Sequence, residues 1–183
     1  LDQMLESDGV LDPIRFSLNP EVGISLAASV LSRIDVWGGN ARFWEIDLLN
    51  ALKYGVDKGA KCSGQALAIA LRDDVAKKEM VEPLMRARNS PMFSAVFGVD
   101  PNSPALSISD GITLIMVGDG QIPLPEADTN PNEAPFEERV GAALVRMMVF
   151  GSSMALTGRG GVIMLDEAHV FLSSNKNEIK LLG

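Results

Sequence analysis

The residues best suited to chemistry lie in Val162-Ile163-Met164-Leu165-Asp166-Glu167-Ala168-His169, where an apolar run delivers two adjacent carboxylates. An apolar strand ending this way sets both acids at its C-terminal end, where open α/β sheets gather their ligands. Two acids allow a division of labour. Asp166 suits Mg²⁺, held through its waters, because a hard cation takes oxygen ligands. Glu167 then orients and polarises the water that attacks the terminal phosphate of a nucleotide. The bland reading of the same pair is a solvated strand end. His169, the one histidine of the chain, reads either as a residue that contacts and senses the nucleotide or as a hydrogen-bonding linker after the strand.

Such chemistry also needs a Gly-x-x-x-x-Gly-Lys-Ser/Thr loop, whose backbone amides, lysine and hydroxyl cradle phosphates and metal. The sequence contains none. Gly55-Val-Asp-Lys-Gly59-Ala60-Lys61-Cys62-Ser63 comes nearest, but its glycine spacing is short, Ala60 separates glycine from lysine, and the segment follows a predicted helix. It reads as an interhelical turn. Gly158-Arg159-Gly160-Gly161 reads as a helix stop and strand entry. Because the chain starts at Leu1 and stops just after a helical stretch, we expect a piece of a longer protein with its phosphate loop upstream.

The elements that must position the acids divide into a helical half and an α/β half. Residues 1–18 read as a connector or edge strand, punctuated by Gly9 and Pro13. Asn19-Pro20-Glu21 predicts a helix start, with a cap, a proline at the first helical position and an acid in the first turn. That helix runs towards Arg33 with Val22, Leu26, Val30 and Ile34 inside. A second, capped by Asn40, carries Phe43, Trp44, Leu48, Leu49 and Leu52 and stops near Lys58-Gly59. A third opens at Ser63 or Gly64 and continues through Leu67, Leu71, Val75 and Met80, with shorter pieces over Glu82 to Arg88 and Pro91 to Phe97. Residues 19–99 thus form a helical subdomain.

The turn cluster Asp100-Pro-Asn-Ser-Pro104 marks the boundary to residues 100–183. Gly111 to Val117 and Gly161 to Leu165 read as buried strands flanking a long helix from Phe136 to Leu156. Strand, helix, strand predicts a right-handed parallel crossover, hence an α/β fold.

Sixteen Lys and Arg against 24 Asp and Glu leave a net charge of −8, which repels nucleic-acid backbones and anionic lipid surfaces. Nucleic-acid contact would need a local basic patch, and Lys77-Lys78 and Arg86-Ala-Arg88 read more simply as solvated helix faces. One cysteine, Cys62, excludes an internal disulfide, and with one histidine a Cys/His zinc site. A reducing cytoplasmic setting fits, and no apolar run is long enough to span a bilayer.

The order Gly9-Val-Leu-Asp-Pro13, the Asn19-Pro20 helix, a helical segment, Gly111-Ile-Thr-Leu-Ile-Met-Val117, Ile122-Pro-Leu-Pro125, Phe136-Glu-Glu-Arg139 and Leu165-Asp-Glu-Ala168 resembles the conjugative-transfer and type IV secretion ATPases. Asp-Glu-Ala is usually followed by Trp in that family, where this chain has His169. The resemblance implies part of a RecA-like P-loop NTPase parallel sheet with a helical-bundle insertion, using ATP and Mg²⁺. It makes Asp166 the metal-organising Walker B residue and Glu167 the catalytic glutamate. It further implies a hexamer, working with other secretion-channel components at the cytoplasmic face of a membrane, and a piece inactive without its phosphate loop.

Two other readings stand beside it. Asp166-Glu-Ala-His169 also spells motif II of DEAH-box helicases, although Arg146 to Gly151 does not match the upstream segment such an enzyme needs. A non-enzymatic helical interaction module is the other, with Trp37-Gly-Gly-Asn-Ala-Arg-Phe-Trp44 as a docking surface or, more plainly, a turn with buried aromatics.

Overall fold

The computed structural model describes residues 7–38, 44–106, 122–125, 133–158 and 160–164. Three of its helices begin with the same device. Asp12 precedes α1 (Pro13–Phe16), Asn19 precedes α2 (Pro20–Ile34) and Ser90 precedes α6 (Pro91–Val96). Each proline sits at a first helical position, where its missing N–H costs nothing. The Asn19 carboxamide accepts from the Glu21 N–H at 3.0 Å, and Asp12 does the same for Ile14.

The buried face of α2 is Ile24, Ala27, Ala28, Val30, Leu31 and Ile34, whereas Val22 is exposed. Strict four-residue spacing drifts by about 40° per step on a 3.6-residue helix, so a stripe from Val22 to Ile34 cannot stay on one face. Alternating steps of three and four hold the face towards α3 (Glu45–Asp57) and the rest of the core. Leu48 and Leu52 of α3 are fully buried. Against α4 (Ser63–Arg72), α3 comes close at Gly55, where an added Cβ would lie 2.3 Å from the Ala66 carbonyl oxygen.

The helix predicted to continue through Val75 to Met80 stops at Arg72. Asp74 takes the left-handed conformation, at φ 57°, and the N–H groups of Val75 and Ala76 both return to the Ala70 carbonyl, at 2.8 and 3.0 Å. These bonds satisfy the last helical acceptors and turn the chain. Val75 is left half-exposed, and Met80 is buried from the next helix, α5 (Lys78–Ala87).

The long helix α7 (Phe136–Leu156) has the bounds its pattern predicts, and Val140, Leu144, Met147 and Met148 are buried. It packs on α6, α2 and α1. Phe93 links α6 to α7 through its ring contact with Phe136, centroids 6.1 Å apart, and stacks obliquely on Phe97 at 5.3 Å. At the other side, Arg139 pairs with Asp35, at the end of α2, at 3.4 Å. One apolar cluster joins these elements, with Leu11, Ile34, Leu52, Leu67, Phe93 and Met147 at its centre.

This architecture overturns the α/β expectation. The described residues hold seven helices and no strand, hence no parallel sheet of the RecA-like kind and no crossover. Gly111 to Val117 lies outside the described residues, as does Leu165. Residues 161–164 are described, have no regular secondary structure, and leave Val162 and Met164 84% and 90% exposed. A buried strand requires a ladder partner and a covering layer. Among the described residues neither is present, and the apolar face of α7, expected to cover a sheet, is covered by other helices.

Candidate functional site

Asp166, Glu167 and His169 lie outside the described residues. Cys62 is buried in the extended residue that precedes α4, and burial pushes its thiol above the ordinary range. A thiol so held is protonated and unreactive at neutral pH.

The densest polar arrangement lies around two acids that sequence reasoning passed over. Asp12 is completely buried between the start of α1, the start of α4 and the loop after α6. Its Oδ1 accepts from the Ile14 N–H at 3.0 Å and the Ser63 hydroxyl at 2.8 Å. Its Oδ2 accepts from the Ser63 N–H at 2.8 Å and the Gly98 N–H at 3.0 Å. Each oxygen therefore has two donors, and Ser63 and Gly98 lie 51 and 86 residues along the chain from it. Burial pushes the Asp12 carboxyl up to about 6, against the pull of these hydrogen bonds towards the ionised form.

Asp8 holds the same loop from outside. Its Oδ2 accepts from the N–H groups of Val99 and Asp100, both at 2.8 Å, and its Oδ1 accepts from Arg88 at 2.8 Å. Arg15, nearly buried, lies 3.7 Å from Asp8 and donates to the carbonyls of Asp100 and Ser103. The backbones meet here: a Cβ on Gly9 would lie 2.4 Å from the Gly98 Cα. Gly9 also has φ 63°, so two independent constraints require glycine.

Four donors on one buried carboxylate make a structural knot that can bind a proton, with no lone pair left for a substrate. Among the described residues no group of three or more His, Cys, Asp or Glu is set to hold a metal. A shallow cavity of about 130 Å³ lined by Asp47, Asn50, Val75, Ala76, Lys77 and Met80 is smaller than the roughly 300 Å³ at which small-molecule sites begin, so it does not fit a nucleotide. No helix of the described residues is long and apolar enough to cross a membrane.

The signal that would have found Asp12 was present. Asp12-Pro13 has the same cap-then-proline form as Asn19-Pro20, and an aspartate between Leu11 and a helix start is a cap beside a core residue. Its long-range partners carry no such mark, since Ser63 and Gly98 are ordinary residues of a helix start and a loop. No protein-family model, curated protein or solved structure matches the chain.

Proposed function

We propose that this chain supplies the acidic part of the ATP site of a conjugation or type IV secretion motor. Asp166 would hold Mg²⁺, and Glu167 would orient the attacking water and take its proton. Mg²⁺-ATP, when bound, supplies the phosphoanhydride that is cleaved. The observation that carries this reading is the order of motifs from Gly9-Val-Leu-Asp-Pro13 to Leu165-Asp-Glu-Ala168. The packed helices between Pro13 and Val96 support it, because a helical segment is expected between those two landmarks. Among the described residues no group of three His, Cys, Asp or Glu is set to hold a metal, and in this reading the chemistry rests on Asp166 and Glu167 together with a phosphate loop that the sequence itself does not contain.

His169 contacts the nucleotide or relays its state in this reading. The working unit is a homo-oligomer, a hexamer, joined to secretion-channel components at the cytoplasmic face of a membrane. Glu167→Gln in the protein that carries these residues tests it: ATP is retained and turnover falls by about 100-fold or more, the scale of a lost general base. Unchanged turnover removes Glu167 from the reaction, and ATP hydrolysis and binding both absent from the unsubstituted protein remove the motor reading.

A further inference from the structure

We draw no further inference here: the strongest candidate, the shallow cavity between α3 and the turn joining α4 to α5, with exposed Ile46 and Val75, carries nothing because Asp47 and Lys77 give its lining one charge of each sign and nothing in the structure shows what covers it.

Discussion

At the scale of the residue, the Asp12 carboxylate is matched to its donors in a way no other side chain reproduces. Asn would set its NH₂ against either Ile14 N–H and the Ser63 hydroxyl or Ser63 N–H and Gly98 N–H. Either orientation leaves buried donors without an acceptor, so Asp12→Asn is expected to cost about 2–4 kcal/mol at pH 5 in urea denaturation. The wild-type protein loses stability as the pH rises from about 4 to 6, because the folded carboxyl is raised above its unfolded value. The gap between the two proteins is therefore expected to narrow by about 1 kcal/mol between pH 5 and 7. A gap that widens over that range would mean that the buried form of Asp12 is the ionised one.

At the scale of the element, two contacts fix how the helices meet. Gly55→Ala pushes a methyl into the Ala66 backbone, which has no rotamer with which to yield. A loss of about 1–3 kcal/mol is expected, and thermal unfolding measures it. Arg139 reaches both the Asp35 carboxylate at 3.4 Å and the Asp35 carbonyl at 3.3 Å, joining α7 to the end of α2. A double-mutant cycle with Asp35→Ala and Arg139→Ala is expected to give a coupling of about 1 kcal/mol, and additivity would show that the Asp35 carboxylate adds nothing to the contact.

Helices were the legible part of this sequence because their signals are local. Asn19-Pro20 and Ser90-Pro91 mark helix starts without reference to anything distant, and α7 follows from its own apolar period. The stop at Asp73-Asp74 was missed because the apolar spacing of Leu67, Leu71 and Val75 continued across it, while two successive aspartates and a left-handed turn ended the helix. The predicted strand at residues 161–164 failed for a different reason. An apolar run specifies burial but not the layer that supplies it, and among the described residues nothing pairs with Val162 to Met164. Asp12 stayed hidden because its partners come from 51 and 86 residues away.

At the scale of the whole molecule, an acidic chain of net charge −8 folds its described residues into helices around one apolar cluster. The carboxylates of Asp12 and Asp8 tie the loop after α6 to the starts of α1 and α4 at one side of that cluster, and the proposed ATP chemistry falls on Asp166 and Glu167, beyond the last described residue. The far-ultraviolet circular dichroism of the chain is expected to carry a helical signature, helix being the regular structure of the described residues.

The function stands on Glu167, and steady-state ATP hydrolysis by the protein carrying these residues, with and without Glu167→Gln, tests it most directly. The account predicts ATP bound by both proteins and turnover at least about 100-fold lower in the variant. Equal turnover in the two, or neither binding nor hydrolysis in the unsubstituted protein, would contradict it.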